Sequence, residues 1–196
     1  MGFIKNIFAL IGLLAVVGIV YGYQKFGSDI EALGHFDSEF SSTYMGMWKT
    51  LKETGNSADA TVWVVPLEDG VSPEDAEEAM KIVANDMNIM SVGEQPLSEQ
   101  VELQTGEDQR FLKIFQYCDP ATAMKMVEHT DAFAAYLPCR IAMVEGKDGQ
   151  YRLYSLNMDL MIHGGAELPA ELKTEALRIK DTMQKIMASG ASGDFF

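Results

Sequence analysis

The chain has 196 residues, of which 47% are hydrophobic and 22% are charged, with 17 Gly and six Pro. These proportions are typical of a folded chain and exclude a low-complexity polymer or a disordered tail protein. The formal net charge of −14, from 29 acidic and 15 basic residues, argues against nucleic acid as a partner, because phosphate binding needs clustered Lys and Arg.

An uncharged, mainly apolar segment, residues 6–24, lies between Lys5 and Lys25. As a helix it would span about 28 Å, which is close to the hydrocarbon thickness of a bilayer. Tyr21 and Tyr23 follow the apolar run, where amphipathic rings favour the headgroup region. We therefore predict a single-pass membrane anchor over residues 1–26.

A cleaved signal peptide is the alternative interpretation of this segment. Lys5 provides a charged start, and Val20-Tyr21-Gly22 roughly satisfies the small-residue rule for a peptidase site. We favour the uncleaved anchor because the apolar run is longer than a usual signal core. The α-amino group and Lys5 favour a cytoplasmic N-terminus, which would place the rest of the chain in the periplasm, at the cytoplasmic (inner) membrane of a bacterium.

A second helix is predicted over residues 27–57, as an amphipathic stalk. Its apolar residues recur at helical spacing, although Gly34 and Gly46 weaken it as an independent helix. Packing on the globular domain is the favoured interpretation, and a homo-oligomerising stalk is the alternative. Without Lys5 and Lys25 the formal charge becomes −16, so anionic lipid should repel the domain, which favours a stalk.

Residues 58–166 are predicted to form the globular domain. Ser72-Pro73 and Asp119-Pro120 are typical helix starts, with a capping side chain followed by Pro in the first turn. The polar segment 94–108 is predicted to be a loop or an irregular edge hairpin. The domain should be α+β, with a mostly antiparallel sheet and helices packed on one face. The predicted strands are 61–67, 89–92, 111–118, 137–145 and 150–156.

The C-terminal part is predicted to be one helix, residues 167–188, followed by a tail, residues 189–196. Apolar residues of this helix step by four and three, which makes a narrow heptad-like seam. The tail is rich in Gly and Ser, carries the Phe195-Phe196 pair, and is predicted to be mobile. The seam consists of Leu172, Ala176, Ile179, Met183 and Ile186.

Two cysteines, Cys118 and Cys139, lie at the ends of predicted strands. Three interpretations are open: two buried unpaired thiols, a disulfide, or a metal or redox site. In an oxidising periplasm a disulfide would stabilise the fold by about 3 kcal/mol. The sequence has no C-x-x-C motif, so it encodes neither a thioredoxin-type site nor covalent c-type haem.

Three segments carry a family resemblance: KIFQYCDP at 113–120 with Ala121 and Ala123, LPCRIAMVE at 137–145, and NMDLM at 157–161. Together they resemble the domain of unknown function 302 family over about residues 60–165. The resemblance implies a compact α+β domain, often self-associating, whose biochemical activity is not established. Family members more often have Asn at the position of Asp119. Asp keeps the helix cap but adds a charge that disfavours a thiolate at Cys118.

The chain has 13 methionines. Thioethers together with Cys or His can bind Cu(I), although adaptable core packing is the favoured role for most of these side chains. We predict no cofactor, with copper as the alternative. The best soft-metal cluster in the sequence is Cys118, Cys139, Met158 and His163.

A small-molecule pocket between sheet and helices is a further possibility, with Arg140 as an anion-binding group beside Tyr117, Tyr154 and Asn157. The candidate ligand-binding residues are therefore Cys118, Cys139, Arg140 and Asn157.

The sequence contains no catalytic motif. It favours a non-enzymatic, membrane-anchored, extracytoplasmic binding or accessory module that is a homo-oligomer or a subunit of a larger membrane complex. The alternative is a thiol-redox or copper-binding protein that uses Cys118 and Cys139.

Overall fold

The computed structural model describes residues 2–194, and over this range it contains seven α-helices and five β-strands. The same range contains two short 3-10 turns, Asp59–Thr61 and Asp131–Tyr136. The helices are α1 (Gly2–Leu33), α2 (Phe40–Thr54), α3 (Pro73–Asp86), α4 (Leu97–Thr105), α5 (Pro120–His129), α6 (Asp159–His163) and α7 (Ala170–Ser192). The strands are β1 (Val62–Pro66), β2 (Met90–Pro96), β3 (Leu112–Cys118), β4 (Cys139–Glu145) and β5 (Tyr151–Leu156).

The strands form one antiparallel sheet in the order β1-β5-β4-β3-β2. Alternate side chains point to opposite faces of a strand, so one face collects the large apolar residues. These buried residues are Phe115 and Tyr117 in β3, Ile141 and Met143 in β4, and Leu153 in β5. The predicted α+β fold with an antiparallel sheet is confirmed.

Helices α3 and α7 pack against each other, and α7 also contacts β1 and β5. Helix α3 begins with the predicted cap: the Asp75 N–H donates to Ser72 Oγ at 3.1 Å, and the Ser72 N–H donates back to Asp75 Oδ2 at 3.3 Å. All five predicted seam residues of α7 are buried. The heptad-like spacing of these residues therefore reflects the packing of α7 onto the domain.

The last helix begins and ends later than predicted, because α7 starts at Ala170, continues to Ser192 and buries Ser189, Gly190 and Ala191. A Cβ atom at Gly190 would lie only 2.6 Å from Met80 Cγ, so glycine lets α7 approach α3 closely. The Gly/Ser composition that predicted a mobile tail from residue 189 thus serves helix packing up to Ser192. The predicted exposed pair Phe195-Phe196 lies outside the described residues.

The segment 94–108 also differs from the prediction of a loop or edge hairpin. Strand β2 runs on to Pro96, where Glu94 pairs with Phe115 of β3, and α4 follows directly. Helix α4 ends at Thr105 and is capped by Gly106, whose φ of 72° suits a residue without a side chain. The strand extension depends on a partner about 20 residues away, so local composition gave no signal for it.

The predicted stalk, residues 27–57, is not one helix. Its first part continues the apolar segment as α1, and α2 begins only after a break at residues 34–39. At the break, Phe36 forms a β-bridge with Ala166, and the Asp37 N–H donates to Gly165 O at 2.9 Å. Helix α2 then packs on the first 3-10 turn and on α6. The chain bends because residues 36 and 37 bind the globular domain.

Helix α1 is long and apolar enough to cross a membrane, and the domain buries none of its most apolar stretch. Phe8, Leu14 and Ile19 are each more than 60% exposed.

Candidate functional site

A largely apolar crevice of the domain lies where β3 ends and β4 begins, between α5, α6 and α7. Its cavity volume is about 30 Å³. We call it the sulfur pocket because five sulfur-containing side chains line it. These are Cys118, Met126, Cys139, Met158 and Met161.

The adjacent ends of two neighbouring strands bring the two cysteines to this pocket. Tyr117 of β3 pairs directly with Cys139, the first residue of β4, and Cys118 is the last residue of β3, just before α5. The chain between them forms α5 and the second 3-10 turn, then returns through the cis Leu137–Pro138 peptide bond. Both cysteines are free thiols in the structure and both are partly exposed. Of the three interpretations of the cysteines, the structure has two unpaired thiols that share one pocket.

Burial keeps both thiols protonated. It raises the pKa of Cys139 to about 11, and the neighbouring Cys118 adds to this effect while the Arg140 guanidinium opposes it. Burial, followed by the charge of Asp119, also raises the pKa of Cys118. The predicted influence of Asp119 on Cys118 therefore has the expected direction. Since the thiolate is the reactive form, neither cysteine is an activated nucleophile in the free pocket.

Polar contacts between α5 and α7 form one side of the pocket rim. Asp119 caps α5 by accepting the N–H groups of Ala121 and Thr122 at 3.1 Å, as the sequence predicts. Its other oxygen accepts from Arg178 Nη2 at 2.5 Å. Burial alone would raise the pKa of Asp119, but these bonds lower it. The carboxylate is thus ionised and occupied by partners.

One wall of the pocket belongs to Tyr117, which is only 1% exposed. Its hydroxyl has no hydrogen-bond partner among the described residues, which is an unusual state for a buried polar atom. Burial, followed by the charges of Glu94 and Glu77, raises the pKa of this phenol. Tyr117 therefore contributes a neutral aromatic wall.

The predicted anion pocket is only partly assembled. Arg140 and Asn157 line a second, smaller crevice together with Tyr136 and Cys139. Neither Tyr117 nor Tyr154 lines this crevice, although Tyr154 lies on the same outer face of the sheet as Arg140 by strand alternation. The carbonyl oxygen of the Asn157 side chain accepts the Asp159 N–H at 2.9 Å, so this residue shapes the turn into α6.

The predicted soft-metal set is divided between two places. Cys118, Cys139 and Met158 line the sulfur pocket, whereas the nearby His163 bonds Asp37 Oδ1 through Nδ1 at 2.9 Å. Met126 and Met161 line the pocket as well. Their apolar helical spacing marked them only as core residues, so sequence reasoning did not place them at the site. Within residues 2–194, no group of three or more His, Cys, Asp or Glu side chains is arranged to hold a metal ion.

We call Asp37, His163 and Lys173 the Asp37 cluster. The Asp37 side chain is fully buried and accepts from Lys173 Nζ at 2.5 Å and from the Glu39 N–H at 2.9 Å. Burial alone would raise its pKa, but the bonds from Lys173, the Glu39 backbone and His163 lower the pKa to about 2. This cluster ties the segment after α1 to α6 and α7. The sequence analysis did not single out Asp37 or Lys173.

Comparisons with known proteins agree with this architecture. A family model described as "Domain of unknown function DUF302" matches residues 63–190. A crystal structure of an uncharacterized conserved protein DUF302 from Bacillus stearothermophilus superposes with a TM-score of 0.52 at 13% sequence identity. The match covers 66% of this chain and 97% of that chain, and it shows the shared fold. No curated protein matches the chain.

Proposed function

Because the chain belongs to the DUF302 family through residues 63–190, we propose that it is a membrane-anchored member, in which α1 and α2 precede the family domain. Helix α1 would cross the cytoplasmic membrane once. The domain would lie in the periplasm and act as a binding or accessory module, either self-associating or within a larger membrane complex.

The observation that carries this proposal is the uncovered surface of α1. A helix of 32 residues exposes its large apolar side chains to the surroundings, and the domain buries none of its most apolar stretch. A soluble protein rarely leaves such a surface in water, whereas a bilayer solvates it. A signal sequence is also long and apolar, so the anchor is distinguished from it by whether the mature protein keeps α1.

The attachment between α1 and the domain is short. Helix α1 ends at Leu33, and Phe36 and Asp37 already bond residues 165 and 166 of the domain. A signal peptide needs only to be removed, so it has no need for a rigid junction. The Asp37 cluster would hold the domain close to the anchor and restrict its orientation over the membrane.

The outer face of the sheet supports self-association. It carries a row of paired residues that runs across four strands, Val64, Tyr154, Ala142 and Ile114. Val64 is 44% exposed, and the other three are half-buried. A second copy is the favoured occupant, because anchors in one membrane confine copies to a plane and raise their effective concentration.

Labelling of engineered cysteines tests the topology. In a Cys118→Ala, Cys139→Ala background, Glu107→Cys and Phe3→Cys place one thiol on each proposed side of the membrane. A membrane-impermeant maleimide should label residue 107 in intact spheroplasts and residue 3 only after lysis. The mass of the purified protein should include residues 1–22. A mature chain that lacks this segment would overturn the anchor.

Native mass measurement in mild detergent tests self-association. The wild-type chain should contain more than one copy, and Val64→Lys on the outer sheet face should shift it to one copy. Leu103→Lys is the matched control, because Leu103 is 88% exposed on α4. A wild-type chain that stays strictly monomeric and purifies without a partner would contradict the proposal.

A thiol-based function is the second candidate, and one observation favours it: the chain's two cysteines, far apart in sequence, line one pocket. Thiol titration with and without reductant tests this function. Two titratable thiols would support it, and a permanent, unreactive disulfide would remove it.

A further inference from the structure

We propose that the sulfur pocket binds one monovalent copper ion, Cu(I), through Cys118 and Cys139 with help from the surrounding thioethers. This inference rests on the thiol function proposed above and is independent of the membrane anchor. It also changes the ligand set expected from the sequence, since Met126 and Met161 replace His163.

The first support is the concentration of sulfur. Five of the 13 residues that line the pocket carry sulfur, whereas the whole chain has 13 methionines and two cysteines among 196 residues. Buried methionines also occur elsewhere in the core, for example Met80 and Met143. Those serve packing, but the three in the pocket border a solvent-open crevice together with both thiols.

The second support is the chemistry of the other lining groups. Thiolates and thioethers are soft ligands that select Cu(I), whereas carboxylates favour harder ions. Asp119 is the acidic residue in the pocket lining, and it already binds Arg178 and caps α5. The remaining lining side chains are apolar apart from Tyr117 and Thr122. The pocket therefore offers mainly sulfur to an entering cation.

Binding requires no change of oxidation state. Cu(I) displaces one proton from each thiol, two protons pass to solvent, and two copper–thiolate bonds form. The resulting centre carries one net negative charge. Arg140 borders the neighbouring crevice together with Cys139, so its guanidinium supplies an opposite charge near that sulfur.

The closing experiment uses the full chain, purified in mild detergent, reduced and kept free of oxygen. Cu(I) is titrated in competition with a chromophoric Cu(I) chelator. One ion should bind per chain, and X-ray absorption should show only sulfur bound to copper. Changing both cysteines to serine should lower the affinity by at least about 100-fold, because both anionic ligands are lost.

Helix α5 offers a matched pair for the thioethers. Met126 faces the pocket and is 4% exposed, whereas Met124 on the same helix is 58% exposed. Met126→Leu should weaken Cu(I) binding several-fold, and Met124→Leu should leave it unchanged. Thermal unfolding checks that each variant is folded. Met161→Leu provides a second test of a pocket thioether if Met126→Leu is unstable.

The two proposals fail in different ways. Two titratable thiols with no retained Cu(I) would overturn the copper site and leave the thiol function standing. A permanent disulfide would overturn both. Unchanged affinity in the double serine variant, or nitrogen and oxygen ligands in the absorption spectrum, would also overturn the copper site.

Discussion

The sulfur pocket and the Asp37 cluster both contain buried titratable groups, yet burial has opposite outcomes in them. Cys139 is surrounded by apolar walls, so its pKa rises to about 11 and the thiol stays neutral. Asp37 is buried as well, but three donors hold its pKa at about 2 and the carboxylate stays charged. Partners, more than depth, decide the charge of a buried group. The Asp37 cluster holds the segment after α1 on the domain, because its charged groups bind one another. The sulfur pocket keeps its thiols unpaired, so they remain free to bind a ligand.

The strongest test of this comparison removes the charge of Asp37. Asp37→Asn keeps the shape but leaves Lys173 and His163 beside a neutral group, so we expect the full chain to lose about 3 kcal/mol of unfolding free energy. Urea unfolding in mild detergent measures the change. Glu167→Gln is the control, because Glu167 is a largely exposed partner of the same lysine. Equal effects of the two substitutions would mean that burial adds nothing at Asp37.

The pH dependence of stability follows from the same carboxylate. Its folded pKa of about 2 lies below the ordinary value of 3.8. Its contribution, about 2 kcal/mol, is therefore complete well above pH 4 and declines as the pH falls through about 2. The difference in unfolding free energy between wild type and Asp37→Asn should shrink over this range. A constant difference down to pH 2 would contradict the lowered pKa.

The reactivity of Cys139 tests the other side of the comparison. The rise of its pKa from 9.0 to about 11 makes the thiolate rare at neutral pH. A more basic thiolate is also more nucleophilic, so we expect alkylation about tenfold slower than in the urea-unfolded chain, before any loss from restricted access. Iodoacetamide labelling of a Cys118→Ala variant, followed by mass spectrometry, gives both rates. Equal rates would show that burial does not protect this thiol.

The smallest expected effect concerns Asp119. Asp119→Asn keeps an oxygen for the α5 cap and removes the charge that helps raise the pKa of Cys118. Alkylation of Cys118 in a Cys139→Ala background should become about two- to threefold faster, because only the lesser of the two causes is removed. The partner Arg178 is half exposed, so the lost ion pair should cost less than about 1 kcal/mol. Slower alkylation would contradict the sign.

Much of the domain could be predicted from local patterns. Apolar alternation located β3, β4 and β5, and the Ser72 and Asp119 caps located the starts of α3 and α5. The prediction of a loop or edge hairpin for residues 94–108 was wrong because the last residues of β2 become strand by pairing with β3. The predicted end of the last helix was wrong because Gly190 packs closely against Met80, so this glycine belongs to the helix and not to a mobile tail.

The candidate site could be predicted only in part. The sequence singled out Cys118, Cys139 and Met158, and all three line the sulfur pocket. His163 does not line it: this residue borders a separate crevice beside Glu39 and Lys180, and its Nδ1 bonds Asp37, 126 residues earlier in the chain. No local pattern marks such a pair, since neither residue stands in a motif.

The sequence by itself determined the apolar first helix, the acidic charge, the α+β class and the family resemblance, because these depend on composition and short-range periodicity. Only the tertiary structure decided which side chains meet. The adjacent ends of β3 and β4 placed Cys118 and Cys139 in one pocket, and the bend after α1 buried Asp37 against His163 and Lys173. Contacts between residues that are distant in sequence arise when whole helices and strands pack or pair. These contacts set the protonation state of each buried group.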